Sequence, residues 1–494
     1  MEKNCISREQ ARQFIEEEMR RPQSNKVLHA HPSPMYWSES DGNESALWNA
    51  RCEISHERPI NTNFYIGIPY CLPTKPSHCG FCLFPTQDYG GNGEMLKYLD
   101  YLEKEARLME HHLRYDRISS VYVGGGTPNL LRCEDYIRLN NIIKRIFGEP
   151  SKNIEQTLEG IPQLFNRDKV QAIKEAGFNR VSMGVQQMSD KLIRYSGRKQ
   201  AHEQVISALE EFNAACLSVN VDLIYGWPEQ TMQDLIQDLL DVCDLGVRHI
   251  TLYQLNIAGR SDFSRQQRKY LPSFEDTYEM YQAACNYLRL RGFRQETLYD
   301  WEKIEVENEV FSHENAGGYY YEQQLREFIN KNSDGVTGGV SNMVGIGCAA
   351  ISGCMTWPYK GGPNWTQMNK RSLEEYFRCI DMGALPVEKK FEHTLEDIRL
   401  VYIFQQLQAM KLDVHSYAQA FGSDVVEDYE PIWEELDARQ WIEKSADAIH
   451  IVGVGQFLIP MIQALFSHAR LQAMRASRSS MHTEGKSVIR ITEG

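Results

Sequence analysis

Three cysteines lie within twelve residues of one another, directly after a short apolar run. The run, residues 64–68, is typical of a buried strand, and Cys71 follows it. Cys79 and Cys82 come after a polar loop that contains two prolines. Thiolates at such spacing can hold a metal centre. Structural zinc takes four closed ligands, whereas an iron–sulfur cube normally takes four thiolates, so three thiolates leave one iron open to another ligand.

The cysteine spacing by itself leaves three interpretations open. The thiols can hold an iron–sulfur cluster, or His78 can join them in a zinc knuckle. They can also be three unrelated reduced cysteines, because a free cysteine is often no more than a small buried hydrophobe. The residues that follow the loop decide between these interpretations.

Five short motifs follow in order: VGGGTP at 123–128, EGIP at 159–162, RVSMGVQ at 180–186, GR at 197–198 and DLIYGWP at 222–228. Each has an ordinary explanation when taken alone. A glycine turn before a helix is common, an isolated glutamate is usually solvated, and a single arginine or aspartate more often forms a surface ion pair. Glycines also let a ligand approach the backbone closely, and exposed amides can receive a carboxylate.

Taken in order with the cysteines, the motifs resemble the radical S-adenosylmethionine (SAM) superfamily. Within it they resemble the oxygen-independent coproporphyrinogen III oxidase family, which includes radical methyltransferase and cyclopropanase relatives. The resemblance covers residues 60–355 well and 356–477 more loosely. It implies a 4Fe–4S cluster on Cys71, Cys79 and Cys82, with SAM on the open iron. Reductive cleavage of SAM then gives methionine and a 5′-deoxyadenosyl radical, which abstracts a hydrogen atom from the substrate.

The resemblance also implies two bound SAM molecules. The residues that match the first SAM site are Tyr65, Gly125, Glu159 and Ile351. The residues that match the second are Phe81, Gly126, Thr127, Gln186, Arg198, Asp222 and Leu255.

The chain departs from the family pattern at three places. The cysteine spacing is C-x7-C-x2-C instead of C-x3-C-x2-C, an insertion that costs little closure entropy. Leu83 and Phe84 follow the cysteines where the family oxidase has a further cysteine, and Gly67 stands where the oxidase has a histidine. These differences favour a different substrate. We therefore expect transfer of a methyl or methylene group to an sp² carbon of a small molecule, either a specialised metabolite or a tetrapyrrole.

Two alternatives stay open. The first is oxidative decarboxylation of the coproporphyrinogen III oxidase type. The second is a haem-binding chaperone without SAM turnover, for which the nearest match to the expected histidine motif is residues 312–315 (SHEN), followed by three tyrosines at 319–321. That match is poor, so the chaperone ranks third.

Short apolar segments alternate with helical patterns from residue 61 to 300, which predicts an α/β fold with parallel strands. The predicted strands are 64–68, 120–123, 155–158, 180–184, 218–224 and 249–255, and the helices between them include 95–112, 135–147, 167–176 and 232–240. Six such units fit the partial (β/α)6 barrel of the radical SAM family. Active groups in such barrels lie at the carboxyl ends of the strands, where these motifs fall.

We expect four segments: an N-terminal arm (1–60), the radical SAM core barrel (61–355), a small, mostly helical, winged-helix-like C-terminal domain (356–480) and a flexible tail (481–494). The arm opens with a helix capped by Ser7, with Gln10 at the capping-box position. A glycine-rich stretch at 338–347 predicts loops, and a hairpin is predicted near 441–452. The basic, polar sequence from Arg470 onward predicts a frayed end.

Composition limits the partners. With 494 residues and a net charge of −14, the chain lacks the basic character of a nucleic-acid binder. Its twelve cysteines show no disulfide framework outside the cysteine loop, which favours a reducing cytoplasm. No apolar run reaches the length of a membrane span. By analogy with the family, we expect a small-molecule substrate and a flavodoxin- or ferredoxin-type electron donor, without nucleic acid or membrane.

Overall fold

The computed structural model describes residues 6–20, 31–42, 44–150, 154–255, 261–304, 329–331, 337–339, 342–357 and 362–489. The chain forms two compact units. One contains Met1–Ser38 and His393–Gly494, and the other contains Glu39–Glu392. The predicted boundaries between arm, barrel and C-terminal domain stay a prediction.

Six neighbouring parallel strands form the centre of the larger unit. They are β1 (Asn61–Ile68), β2 (Arg117–Gly125), β3 (Glu155–Gly160), β4 (Arg180–Gln186), β5 (Ser218–Tyr225) and β6 (His249–Gln254). Each strand pairs in parallel with the next one along the chain. The predicted α/β class and the partial barrel are confirmed, since these strands make an open sheet.

Helices connect these strands. They are Asn92–Leu113, Tyr136–Phe147, Arg167–Glu175, Asp190–Ile193, His202–Ala215, Met232–Asp244 and Phe274–Leu290, and Glu44–Glu57 precedes them. In Tyr136–Phe147 the buried residues Leu139, Ile142, Ile143 and Ile146 recur at helical spacing and make one apolar face. The ring of Phe147 packs against Phe64 of β1 with centroids 5.1 Å apart, which joins this helix to the sheet.

The two faces of the parallel sheet differ in chemistry because successive side chains on a strand point to opposite sides. One face carries apolar residues such as Phe64 and Ile66 of β1 and Val121 of β2, all fully buried. The other face is polar: Ser120 donates to the side chain of Asn63 over 2.6 Å, and Asn220 of β5 donates to Ser182 of β4 over 2.9 Å. The polar face is the one on which the candidate site is built.

Further strands extend the sheet at both edges. Asn342–Ile346 pairs in parallel with β1, and Ile351–Met355, Asn364–Asn369 and Val387–Glu392 follow in antiparallel order. Asp300–Lys303 pairs with β6, and Phe293–Gln295 pairs with Asp300–Lys303. The remaining strands are Ser38–Glu39, Tyr70–Cys71, Gln87–Asp88, Ile329–Lys331 and Thr337–Gly339, and the helix Leu373–Asp381 lies between two edge strands in the sequence.

The loop predicted for the glycine-rich stretch at 338–347 is wrong at two places, because residues 338–339 belong to the strand Thr337–Gly339 and Asn342–Ile346 is also a strand. In Asn342–Ile346 the side chains of Val344 and Ile346 are fully buried. The free energy gained by this burial against β1 outweighs the low strand propensity of the glycine between them. A Cβ on Gly345 would lie 2.5 Å from the carbonyl oxygen of Ile351. The glycine therefore permits the close approach of the next strand.

The smaller unit is mostly helical. Its helices are Arg8–Met19, Leu395–Gln408, Val414–Phe421, Val425–Asp428, Glu430–Ala438, Val454–Phe457 and Ile459–Ile489, and its strands are Lys411–Asp413, Ile442–Lys444 and Ala448–Ile451. The capping box of Ser7 and Gln10 is confirmed. The predicted hairpin is also confirmed, because Ile442–Lys444 and Ala448–Ile451 pair in antiparallel order.

The frayed end predicted from Arg470 is wrong as far as Ile489, because the last helix continues through it. The Arg470 guanidinium donates to both carboxylate oxygens of the buried Asp397, at 2.8 Å each, and this holds the helix to its neighbour. Among the residues that the structure describes, no helix combines the length and the apolar character that a membrane span requires.

Candidate active site

The loop after β1 and the glycine turn after β2 are interlocked at the carboxyl end of the sheet. The amide of Gly126 donates to the Ile68 carbonyl and the amide of Thr127 donates to the Tyr70 carbonyl, both over 2.7 Å. A Cβ on Gly126 would lie 2.3 Å from the Tyr70 oxygen, so only glycine fits at this position. The contact places Cys71 beside Thr127, whose hydroxyl lowers the pKa of the Cys71 thiol.

The three cysteines of the loop are half-buried and lie near one another. Burial raises the pKa of the Cys71 thiol, and it raises the pKa of Cys82 to about 11. A smaller part of the rise at Cys82 comes from the charges of Cys79 and Cys71, and the charge of Cys79 also contributes at Cys71. Such mutual repulsion requires the thiols to be close together.

This donor set is compatible with a 4Fe–4S cluster. Within the described ranges, no three His, Cys, Asp or Glu side chains are arranged around a point that would hold one metal ion. The ring of His78 contacts the Thr86 hydroxyl over 3.0 Å. In a 4Fe–4S cube each thiolate binds a different iron, so three thiols in one loop suit it without converging on one point.

Three of the four residues predicted for the first SAM site come together. Glu159, at the end of β3, accepts a hydrogen bond from the Gly125 amide over 3.0 Å. A Cβ on Gly125 would lie 3.2 Å from the Tyr65 hydroxyl, which puts that hydroxyl at the same turn. Ile351 begins a strand two strands away from β1.

The carboxylate of Glu159 is held by a residue that the sequence did not single out. Tyr122 donates its hydroxyl to Glu159 over 2.8 Å, and its ring stacks against Tyr65 at 6.3 Å. Burial raises the pKa of Glu159, and the bonds from Tyr122 and the Gly125 amide partly offset that rise. A partly desolvated carboxylate in this position can receive an ammonium or a ribose hydroxyl.

The polar residues predicted for the second SAM site lie on the next two strands. Gln186 ends β4 at a bulge with a φ of 69°, and Arg198 donates to the carbonyl of Gly184 on the same strand. Asp222 of β5 is directly paired with Gly184. The arginine and the aspartate therefore flank one strand end.

Asp222 is strongly perturbed. Burial, and then the charge of Glu159, raise its pKa to about 7, against the opposing effects of Asn220, Arg180 and Ser182. The side chain of Asn220 donates to Asp222 over 2.6 Å, and the Ser182 hydroxyl lies 3.3 Å away. Two carboxylates thus share one buried region, which favours a cationic ligand.

The two apolar residues predicted for the second site belong to one aromatic cluster. Leu255, which is 2% exposed, packs with Trp227 and Phe263, and Phe81 lies against this group. The rings of Phe81 and Trp227 are 5.5 Å apart in an edge-to-face arrangement. This aromatic cluster forms an apolar wall beside the cysteine loop.

Sequence reasoning missed Tyr122, Arg180, Ser182 and Asn220. Arg180 is fully buried on the polar face of the sheet, where it contacts Thr157 over 3.2 Å and the His249 ring over 2.8 Å. The alternation of polar and apolar residues along β2, β4 and β5 carries this signal, because it marks a second, polar face. The histidine motif of the chaperone alternative, at 312–321, lies outside the described residues.

Comparison with known proteins agrees with the motifs. Residues 76–242 match the model of the radical SAM superfamily. The chain is 26% identical to the oxygen-independent coproporphyrinogen III oxidase of Helicobacter pylori (strain ATCC 700392 / 26695) over 82% of this chain and 85% of the relative. It is 27% identical to the heme chaperone HemW of Bacillus subtilis (strain 168) over 80% of this chain and 96% of the relative.

A solved structure shares the fold. Coproporphyrinogen III oxidase (HemN) from Escherichia coli superposes with a TM-score of 0.73 at 22% identity, over 89% of this chain and 96% of that one. The predicted resemblance is confirmed. The chain is a radical SAM enzyme with a 4Fe–4S cluster and SAM as cofactors, and it is similar over most of its length to the oxygen-independent coproporphyrinogen III oxidases.

Proposed function

We propose that this enzyme uses two SAM molecules and transfers a methyl or methylene group to an sp² carbon of a small molecule. The observation that supports the proposal is the arrangement of two neighbouring sets of groups at one end of the sheet. Glu159 and Gly125 form one set, and Gln186, Arg198 and Asp222 form the other. Each set offers a carboxylate beside a glycine-rich backbone, which suits the ammonium of an amino acid and the open approach of a nucleoside.

In this proposal Cys71, Cys79 and Cys82 would hold the cluster, which together with bound SAM would supply the radical chemistry. Glu159 orients the first SAM, while the absence of a side chain at Gly125 leaves room beside the carboxylate. The apolar wall that contains the fully buried Trp227 would exclude water from the reacting atoms.

The residues after the cysteines support a substrate with an apolar or unsaturated surface. Leu83 and Phe84 are 58% and 39% exposed, which is unusual for large apolar side chains so close to a buried polar site. The Phe84 ring lies 3.2 Å from the position of a Cβ on Gly125. An aromatic ring at the first SAM site can stack against an unsaturated substrate, where the related oxidases have a cysteine.

Two other functions have their own support. Similarity to the oxidases extends over 82% of this chain for the Helicobacter pylori relative, which favours oxidative decarboxylation of a porphyrinogen. Similarity to HemW favours a haem carrier. For all three functions we propose a cytoplasmic location, and for the two enzymes a flavodoxin- or ferredoxin-type donor.

The test is anaerobic reconstitution with iron and sulfide, followed by dithionite, SAM and candidate substrates. 5′-Deoxyadenosine and S-adenosylhomocysteine are measured together by mass spectrometry, and iron is counted on the same sample. Cys79→Ala removes one proposed ligand. Cys216→Ala is the matched control, because Cys216 is an exposed free cysteine remote from the loop in sequence.

Substrate-dependent formation of both products in wild type and Cys216→Ala, with loss of both in Cys79→Ala, is the expected result. Deoxyadenosine with carbon dioxide from coproporphyrinogen III, and without S-adenosylhomocysteine, would replace methyl transfer by decarboxylation. Retention of haem with no cleavage of SAM would replace it by the carrier function.

A further inference from the structure

The seven residues between Cys71 and Cys79 fold back on themselves and fix the backbone of the second cysteine. The Thr74 hydroxyl accepts a hydrogen bond from the Cys79 amide over 3.0 Å and donates to the Pro76 carbonyl over 2.8 Å. Beyond it, the Cys82 amide donates to the His78 carbonyl over 3.0 Å. Three hydrogen bonds, each with a backbone donor or acceptor, therefore connect residues within the segment from Thr74 to Cys82.

The same segment is pressed against the turn that precedes Arg198. Gly197 has a φ of 67°, and a Cβ there would lie 2.2 Å from the carbonyl oxygen of Lys75, 2.6 Å from its carbonyl carbon and 2.8 Å from its nitrogen. All three are backbone atoms, which cannot rotate away as the end of a side chain can. The close approach of Lys75 and Gly197 thus requires glycine.

A second contact holds the other side of the loop. Gly80 has a φ of 76°, and a Cβ on it would lie 2.4 Å from the ring of Phe263 and 2.7 Å from the ring of Pro76. Phe263 is 1% exposed and belongs to the aromatic cluster with Trp227, so it offers a rigid surface. Cys79 lies between Thr74 and Gly80 and is constrained from both directions.

We propose that Thr74 and Gly197 are positioning residues for the iron–sulfur cluster. The lengthened segment acts as a clamp on Cys79. Gly197 allows the Lys75 backbone to pack closely against it, and the Thr74 hydroxyl accepts a hydrogen bond from the Cys79 amide. The clamp also joins the cysteine loop to Gly197, the residue before Arg198. The same backbone contact therefore supports both the iron–sulfur cluster and the second SAM site. This inference rests on the proposed function only in requiring that the cysteines bind a cluster.

Two pairs of variants test the clamp. Gly197→Ala removes the space for Lys75, and Gly383→Ala is its control, because Gly383 has a φ of 70° with no atom within 4 Å of a Cβ. Both changes put alanine in the left-handed region, but only the first collides with the cysteine loop. Thr74→Val removes the acceptor for the Cys79 amide without changing the size of the side chain, whereas Thr74→Ser keeps it.

Three readouts are taken after anaerobic reconstitution: iron and sulfide per chain, the electron paramagnetic resonance signal of the reduced cluster with and without SAM, and the circular dichroism spectrum. In cluster-free protein, the rate of alkylation of Cys79 is measured by mass spectrometry. We expect Gly197→Ala and Thr74→Val to lose most of the iron and to alkylate faster at Cys79. Thr74→Ser and Gly383→Ala should match wild type, and all should keep the wild-type circular dichroism.

Normal iron content and normal Cys79 alkylation in both Gly197→Ala and Thr74→Val would overturn the clamp while leaving the proposed function intact. Equal loss in Thr74→Ser and Thr74→Val would also overturn it, since the hydroxyl would then have no part. If Gly197→Ala does not fold, the two Thr74 variants decide alone. A wild-type protein that takes up no cluster would instead refute the proposed function.

Discussion

Glu159→Gln is the most direct test of the first SAM site. The substitution keeps the shape of the side chain and removes its charge. The new carboxamide oxygen can still accept from the Gly125 amide, and the carboxamide nitrogen can donate to the Tyr122 oxygen, because that hydroxyl can turn to accept. The two local hydrogen bonds are therefore replaced, and the fold should be retained. In the proposed function, what is lost is the attraction between a partly desolvated carboxylate and the cationic ammonium of SAM.

A hydrogen bond to a charged group contributes about 1.5–3 kcal/mol. At about 1.4 kcal/mol per factor of ten, the Kd for SAM should rise by about tenfold to 150-fold. The assay is anaerobic isothermal titration of SAM into the cluster-loaded protein, with deoxyadenosine formation measured in parallel. Glu134→Gln, the same exchange on a side chain that is 68% exposed, is the control and should leave the Kd unchanged.

A rise of less than about threefold, which is under 1 kcal/mol, would refute this reasoning. Glu159 would then serve only as a cap for the glycine turn, and Tyr122 would have no indirect role in SAM binding. A large rise accompanied by loss of the cluster would also count against it, because Glu159 would then act on the cysteine loop instead of on SAM.

Three further outcomes are expected. Tyr122→Phe removes a bond that lowers the pKa of Glu159, so the pH dependence of the first SAM affinity should shift to higher pH, as titration at several pH values would show. Because the pKa of Asp222 is raised to about 7 and its charged form attracts a cation, the second SAM should bind more tightly as pH rises from about 6 to about 8, and Asp222→Asn should lose that dependence in the same titration. Asp116→Asn removes the negative charge that pairs with the fully buried Arg51 at 2.5 Å and should lower the free energy of unfolding in urea by about 3–5 kcal/mol, much of which the double change Arg51→Met/Asp116→Leu should restore.

The parallel strands were predictable because most of them contain a short apolar run between turn residues, although Glu155–Gly160 (EQTLEG) contains one large apolar side chain. All six were found. Five of them extend beyond the predicted ends, and the sixth, predicted at 249–255, ends one residue earlier at Gln254. The predicted strand 120–123 extends to Arg117–Gly125, because Arg117 and Ile118 pair with Asn61 and Thr62 of β1 although Arg117 itself is exposed. Pairing with a neighbouring strand is a tertiary effect, and the local sequence does not contain it.

The sequence predicts which residues belong to the candidate site, but not how their side chains contact one another. The rule that active groups lie at the carboxyl ends of parallel strands brought Gly125 and Glu159 together correctly. It did not indicate that the Gly125 amide donates to Glu159, nor that Tyr122 completes the group. Those contacts depend on the register between β2 and β3, which is fixed by packing and not by either strand alone.

The electrostatics of the polar face explain why a cationic cofactor suits this site. Glu159 and Asp222 are both partly or fully removed from water, and each disfavours the charge of the other. Arg180 provides a compensating positive charge beneath them, and it also lies near Glu155 at 3.5 Å. A guanidinium shared among these carboxylates neutralises them only in part. A bound sulfonium or ammonium adds the positive charge that the region still favours, so binding should stabilise the folded protein as well as prepare the chemistry.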